Sequence, residues 1–377
     1  MSSSLIFKKF KLNTKIYFGT NSIKKLNYIL NSDKILIVSS KKGKIRLLKN
    51  SNILKKKNID FIETIDSYPS LKYVNKILKK SFGKEYKIVI AFGGGSVIDI
   101  AKIIKVYLEI KKKISIKNLV KNINNYKIKK KINLIVIPTT SGTGSEVTNF
   151  ATIWDTKKNK KISLESKYLY PNYALVDPTT TYSLNYKNTL FTAIDALNQL
   201  FDSFWNKKSD KKYKIIASKA IQTSIRTLKQ IKKNNISKKN RLDLSYVSLI
   251  SGICIRKTKT SICHSISYPL TSFYNVPHGL AVFFTTLEVY KLVMARNKSY
   301  FRILLANTNF SNNQKIINEL NYIFKKHKIK NKIKKYIPNF KKIDLLINYM
   351  FTKSRFKNFI LDINKPTLKN ILLKSYE

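Results

Sequence analysis

Histidine and cysteine are scarce in this chain, with three and two in 377 residues. Two cysteines cannot build a disulfide framework or a zinc finger. Cys254 and Cys263 lie in a stretch of helical spacing, where buried, inert thiols are expected. Arginine is nearly as rare: positions 46, 226, 241, 256, 296, 302 and 355 carry all of it, although Lys and Arg number 74 against 20 acidic residues, a formal net charge of +54. A dedicated nucleic-acid surface clusters arginine, whose planar fork reads base edges, on one element. Here the lysines spread along the whole chain amid asparagine and isoleucine, so nucleic-acid binding is set aside as the main function. The positive field concentrates anionic small molecules without selecting among them. Long apolar runs are also missing: lysine and asparagine interrupt every stretch well before the roughly 18 to 20 residues needed to cross a bilayer. The start, Met1-Ser-Ser-Ser-Leu-Ile-Phe-Lys-Lys, has no apolar centre or cleavage site of a secretory signal. A cytoplasmic protein, without membrane contact, is the expectation.

What remains is 43% hydrophobic and free of internal repeats, enough for two closely packed domains with a sizeable core. From about residue 15 to 180, β-branched runs alternate with helical patterns. The clearest strands are Lys34-Ile-Leu-Ile-Val-Ser, Tyr86-Lys-Ile-Val-Ile-Ala-Phe and Ile132-Asn-Leu-Ile-Val-Ile-Pro. Such alternation implies βαβ units and a parallel, Rossmann-like sheet. From about residue 186 the spacing becomes helical, and breaks between helices are expected at Gly252, Gly279 and Pro269 or Pro277. The expected division is an α/β dinucleotide-binding domain over 1–185 and an all-helical metal and substrate domain over 186–377. Beyond residue 300 the pattern reads as helical scaffold.

The central strand runs into Phe92-Gly93-Gly94-Gly95-Ser96-Val97-Ile98-Asp99. Three glycines between a strand and a helix N-terminus let the backbone approach a phosphate, and the free amides and helix dipole favour the anion. This is pyrophosphate chemistry, although the pattern is not the GxGxxG fingerprint. After the strand ending at Ile137 comes Pro138-Thr139-Thr140-Ser141-Gly142-Thr143-Gly144-Ser145-Glu146, whose hydroxyls suit ribose and carboxamide groups. Two such loops at the C-terminal ends of parallel strands mark the crevice where open α/β sheets bind ligands.

Two of the three histidines, His264 and His278, share one segment that ends in Pro277-His278-Gly279. Upstream, Asp195 and Gln199 stand at i and i+4 and share a helix face. A carboxylate and two imidazoles can hold a divalent ion that polarises a carbonyl oxygen.

Gly93-Gly-Gly-Ser-Val-Ile-Asp-Ile-Ala-Lys102, the Pro138 to Glu146 loop, Asp195-Ala196, His264 and Pro277-His278-Gly279 resemble, in the same order, the motif series of iron-containing alcohol dehydrogenases. Phe18-Gly19 and Val176-Asp177-Pro178 also fit. The resemblance implies the dehydroquinate synthase-like fold of that family, with an N-terminal α/β domain for NAD(P), a C-terminal helical domain for the metal and an active site in the cleft between. Carried onto this chain, Gly94, Gly95 and Ser96 face the pyrophosphate with Asp99 alongside. Thr139, Thr140 and Ser145 line the nicotinamide half, and Lys161 resembles the family lysine near nicotinamide and substrate.

The departures concern the metal. Gln199 stands where the family commonly has a histidine ligand; its carbonyl oxygen can ligate, but is neutral and weaker than imidazole. Tyr268 replaces a histidine often given to proton relay. After the strand Ile35-Leu-Ile-Val38 the family often has an aspartate for the adenosine 2′-hydroxyl; Ser39-Ser40-Lys41-Lys42 here has no carboxylate and two cations, which favours NADPH over NADH. The ion expected is Fe2+ or Zn2+. Around His264, Lys259, Thr260 and Ser261 offer a cation and hydroxyls to an anionic group, and these segments are similar to those of phosphonoacetaldehyde reductases, a branch that makes 2-hydroxyethylphosphonate. The reading is therefore an aldehyde reductase for a small, anionic substrate, acting as a homo-oligomer. Metal-independent maleylacetate reductase-type and glycerol dehydrogenase-like chemistry on the same fold are the alternatives.

Overall fold

The computed structural model describes residues 9–30, 34–50, 58–64, 69–128, 131–156, 160–351 and 353–377. The first eight residues of the stretch inspected for a secretory signal lie outside these. The chain forms two compact units. One comprises Met1–Thr140 and Gly144–Leu184, the other Ser141–Thr143 and Asn185–Glu377.

The first unit holds strands β1 (Lys15–Phe18), β2 (Ile35–Ser39), β3 (Ile59–Glu63), β4 (Ile88–Gly93), β5 (Asn133–Pro138), β6 (Phe150–Asp155), β7 (Lys160–Glu165) and β8 (Tyr173–Val176). Its helices are α1 (Leu26–Ile29), α2 (Lys41–Asn50), α3 (Leu71–Ser81), α4 (Gly95–Ile110) and α5 (Ile116–Asn122). Six strands form one parallel sheet in the order β1-β8-β5-β4-β2-β3. Every residue of β2 and β4 is buried, because a parallel sheet is covered on both faces and its strands read as continuous apolar runs. On one face Leu36, Val38, Val89, Ala91, Leu134 and Val136 join the core with α3 and α4; on the other, Ile35, Ile37, Ile88, Ile90 and Ile135 pack with Leu26 and Leu47. From β2 the chain steps outward to β3 and returns on the other side of β2 as β4. The order therefore reverses between β2 and β4, and a doubly wound sheet opens its ligand crevice at the carboxyl ends of such strands. The sequence reading missed the antiparallel hairpin β6-β7, in which Trp154 pairs with Lys161.

The second unit is helical among its described residues: α6 (Tyr186–Phe204), α7 (Lys211–Gln230), α8 (Lys238–Thr258), α9 (Ile262–Tyr274), α10 (His278–Phe283), and further helices to Lys365–Tyr376. Asn185, Asp210 and Ser237 cap α6, α7 and α8 with side-chain oxygens, the last as a reciprocal capping box with Asn240. Two expected breaks are corrected. Gly252 lies inside α8 and Pro269 inside α9, both buried; burial of the surrounding apolar residues offsets the roughly 1 and 3 kcal/mol that Gly and Pro cost a helix. Of the two prolines it is Pro277 that marks the expected break: the chain turns between Asn275, in the left-handed conformation, and Pro277, which caps α10. Cys254 and Cys263 are free and buried, and burial pushes both thiols upward, as inert thiols require. Among the described residues no helix is long and apolar enough to cross a membrane.

Candidate functional site

In the first unit the candidate cofactor residues gather at the carboxyl ends of β2, β4 and β5. Ser40 is exposed after β2 and accepts the Gly43 amide at 3.2 Å, with exposed Lys41 and Lys42 beside it. Gly94 caps α4 with extended backbone, and no side chain caps this end. The first-turn amides of a long helix are thereby turned to whatever anion docks there. Glycine is required just before it: a Cβ on Gly93 would lie 2.5 Å from Val97 Cγ2. Gly95 and Ser96 follow, half-buried, and Thr139 and Thr140 stand half-buried at the end of β5. Lys161, on β7, carries its ammonium 5.9 Å over the Trp154 ring, and its charge is felt at Asp99.

Asp99 and Ser145, expected to touch cofactor, bind each other. Ser145 Oγ donates to Asp99 Oδ1 at 2.6 Å, and Asp99 Oδ2 accepts the Thr152 amide at 2.9 Å. Ser145 is buried and Asp99 half-buried, so both carry internal hydrogen bonds at the edge of the candidate site. Beside them is Lys102, wholly buried on α4, whose Nζ donates to Ser145 Oγ (2.8 Å), Thr148 Oγ1 (3.1 Å) and the Phe150 carbonyl (2.9 Å). Burial lowers the Lys102 ammonium to about 8, against the pull of Asp99 and Glu146; burial raises the neighbouring Glu146 carboxyl to about 7.

In the second unit α6, α9 and α10 bring Asp195, His264 and His278 together. One ligand atom from each lies within 4.8 Å of the others. Asp195, Gln199 and Asp202 descend one face of α6 at i, i+4 and i+7. His264 stands between the two carboxylates: its Nδ1 pairs with Asp202 Oδ2 at 2.7 Å, while its Nε2 is 3.5 Å from Asp195 Oδ1. The second distance is too long for a good hydrogen bond, and Asp195 Oδ1 is a buried acceptor with no hydrogen-bond partner. An orphaned carboxylate oxygen aimed at two imidazoles is a donor set that fits a divalent cation. The same field acts on a proton: burial disfavours charge on His264, yet Asp195 and Asp202 outweigh it and raise the imidazole to about 9. Tyr268 lies nearly parallel to the His278 ring, centroids 6.4 Å apart.

Gly279 lets this convergence happen. A Cβ there would lie 1.8 Å from the Phe191 carbonyl oxygen and 3.1 Å from Asp195 Cβ, so only glycine allows α10 to lie against α6 and deliver His278. Gly279→Ala is expected to cost about 1 to 3 kcal/mol, the usual penalty of overpacking, measured by denaturant unfolding, and to weaken metal binding in the same variant.

The remaining residues divide. Gln199 Oε1 accepts the Ser251 hydroxyl at 2.9 Å. Lys259 is half-buried with a left-handed φ of 64° at the end of α8, and Thr260 is buried. Ser261 is wholly buried, and this corrects its assignment to substrate: its hydroxyl donates to Asp202 Oδ1 (2.8 Å) and accepts from Trp205 Nε1 (3.1 Å), and its amide donates to Asp202 Oδ2 (2.9 Å). Sequence reasoning missed Asp202 and Lys102. The signal for the second was present, a lysine with Ile100-Ala101 and Ile103-Ile104 on its two sides, but it is one lysine among dozens.

Comparison with known proteins follows the same division. The model described as iron-containing alcohol dehydrogenase matches residues 13–178, and that described as Fe-containing alcohol dehydrogenase family, C-terminal, matches residues 189–376. The 4-hydroxybutyrate dehydrogenase of Clostridium kluyveri is 31% identical over 61% of this chain and 61% of its own. The NADPH-dependent butanol dehydrogenase of Clostridium saccharobutylicum is 27% identical over 96% of both. The phosphonoacetaldehyde reductase of Streptomyces viridochromogenes is 33% identical over 40% of this chain and 38% of its own. The chain thus spans less than two thirds of the first and third of these relatives. An iron-containing alcohol dehydrogenase structure from Thermococcus thioreducens superposes with a TM-score of 0.85 at 20% identity, covering 97% of this chain and 98% of that one, a likeness of fold. With the two models spanning nearly its whole length, the chain belongs to the iron-containing alcohol dehydrogenase family.

Proposed function

We propose that this protein is an NAD(P)H-dependent aldehyde reductase or alcohol dehydrogenase acting on a small, anionic aldehyde. The observation that carries the reading is the Asp195, His264 and His278 cluster with its orphaned carboxylate oxygen. When bound, the dinucleotide supplies a hydride and the ion, iron(II) or zinc, polarises the carbonyl oxygen. Asp195, His264 and His278 hold the ion; Gln199 adds a neutral amide whose oxygen already accepts Ser251. The Gly94 end of α4, with Gly95 and Ser96, binds the pyrophosphate, and Thr139 and Thr140 the nicotinamide half. Lys161 orients nicotinamide and substrate, and Tyr268, beside His278, passes the proton to the product oxygen.

Two observations support the finer reading. Exposed Lys41 and Lys42 follow Ser40, and the stretch Ser39-Ser40-Lys41-Lys42 carries no carboxylate of its own, which suits a 2′-phosphate. Lys259 stands near His264 in sequence, and two of the relatives above are named for molecules with a carboxylate or a phosphonate. The test is one panel: NADPH and NADH against phosphonoacetaldehyde and propanal, with added iron(II), zinc or chelator. Expected are a kcat/KM at least about tenfold higher with NADPH, the effect of one charged hydrogen bond, and faster reduction of phosphonoacetaldehyde than of propanal. A preference for NADH overturns the cofactor choice, and equal rates on the two aldehydes overturn the anionic substrate. Full activity after chelation identifies metal-independent, maleylacetate reductase-type chemistry instead.

A further inference from the structure

We propose that Lys102 is a positioning residue of the nucleotide site, an internal latch that fixes the segment 145–152, which runs from the hydroxyl-rich loop into β6, to the helix whose N-terminus takes the pyrophosphate. The inference rests on reading these loops as the dinucleotide site. Burying an ammonium is costly. Lys102 is wholly buried in α4, between isoleucines and alanine, where an unpaired cation would be strongly disfavoured. Its three protons are all donated, to Ser145 Oγ, Thr148 Oγ1 and the Phe150 carbonyl, and all three acceptors lie on one short stretch of chain. Asp99, one turn earlier on the same helix and 3.9 Å away, completes the latch: it accepts the Ser145 hydroxyl and the Thr152 amide.

The consequence is geometric. Gly94 caps α4 and Gly95 and Ser96 begin it, and Ser145 lies near the end of the hydroxyl-rich loop. With Asp99 and Lys102 on successive turns both bonded to residues 145 to 152, the two loops cannot shift independently. The crevice is therefore set before a dinucleotide arrives, and a preformed site does not spend binding free energy on ordering its own loops. Lys102 touches no ligand in this scheme. Its removal should weaken dinucleotide binding through the loop and leave the aldehyde step largely alone. Glu146, buried on the same loop, and Lys161, on β7, are the other charges that act on this cluster.

The experiment compares the full-length protein with Lys102→Met, which keeps the length of the side chain, and with Ser145→Ala, which removes one acceptor and spares the others. Amide hydrogen exchange over residues 145–152 is followed without cofactor, and the Kd for NADPH is measured by nicotinamide fluorescence. Expected for Lys102→Met are faster exchange confined to that segment and a Kd raised about tenfold or more, as for loss of charged hydrogen bonds, with an aldehyde KM changed by less than about twofold. Ser145→Ala should move both readings the same way by less, and it serves if the methionine variant does not fold. Unchanged exchange overturns the latch whatever the protein binds. Faster exchange with unchanged Kd shows that the cluster only stabilises the fold, and overturns the positioning role. A wild-type protein that binds no dinucleotide, with the latch seen in exchange, overturns the nucleotide reading and the positioning role with it.

Discussion

Replacing His278 by alanine is expected to lower turnover by about two to three orders of magnitude and to release bound divalent metal. His278 is the first residue of α10, set by the Pro277 cap and by the close approach that Gly279 permits. It is half-buried and its ring meets that of His264 at 71° with centroids 5.5 Å apart. Truncation leaves the helix its start and removes one of three ligand groups, so the fold should survive while the ion loses a strong donor. Gln199 cannot compensate, being neutral and engaged with Ser251. Loss of preorganised stabilisation at the carbonyl oxygen lowers kcat by about 100- to 1,000-fold, and metal affinity should fall by more than the roughly 10- to 100-fold typical of a supporting partner. The measurements are kcat with NADPH and an aldehyde substrate, and metal content after dialysis. Retained turnover with unchanged metal content would remove His278 from the site and, with it, the reading of the cluster.

How much of this was legible in the sequence depends on the kind of information each feature needs. β2, β4 and β5 were readable because a strand buried on both faces is a short, continuous apolar run. β6 and β7 were not, since their half-buried alternation sits among lysines and a hydroxyl-rich loop. Gly252 and Pro269 read as breaks because local propensity disfavours them in helices, and propensity says nothing of the packing that holds them there. His264 and His278 stood out through rarity alone. Lys102 was hidden by the opposite effect, an excess of its own kind. Ser261 was placed in the right region with the wrong direction: neighbouring positions are visible in a sequence, but the way a side chain points is not.

Ser261 and His264 are both held by Asp202. Asp202, wholly buried, receives four donors: the Ser261 amide and His264 Nδ1 at Oδ2, and the Ser261 hydroxyl and Trp205 Nε1 at Oδ1. Because Oδ2 accepts, His264 carries a proton on Nδ1 and turns Nε2 toward Asp195. In Asp202→Asn one oxygen becomes an NH2 group. Placed at Oδ2, it faces the Ser261 amide and forces His264 into the other tautomer, with a proton on the nitrogen needed for the ion. Placed at Oδ1, it faces the indole N–H of Trp205. In the second orientation the Trp205 N–H keeps the Ser261 hydroxyl as its acceptor, but in either one the imidazole loses the negative charge that raises its basicity as a ligand. Metal affinity in this variant should therefore fall about 10- to 100-fold, with kcat recovering in part at saturating metal. Asp202→Ala removes the carboxylate altogether and should destabilise the protein by about 3 to 5 kcal/mol, as for a buried ion pair cut on one side. Chelator competition and denaturant unfolding read the two effects separately. A structural role alone predicts lost stability with unchanged metal affinity in Asp202→Asn, and that result would show that the carboxylate supports the helix and does not orient the imidazole.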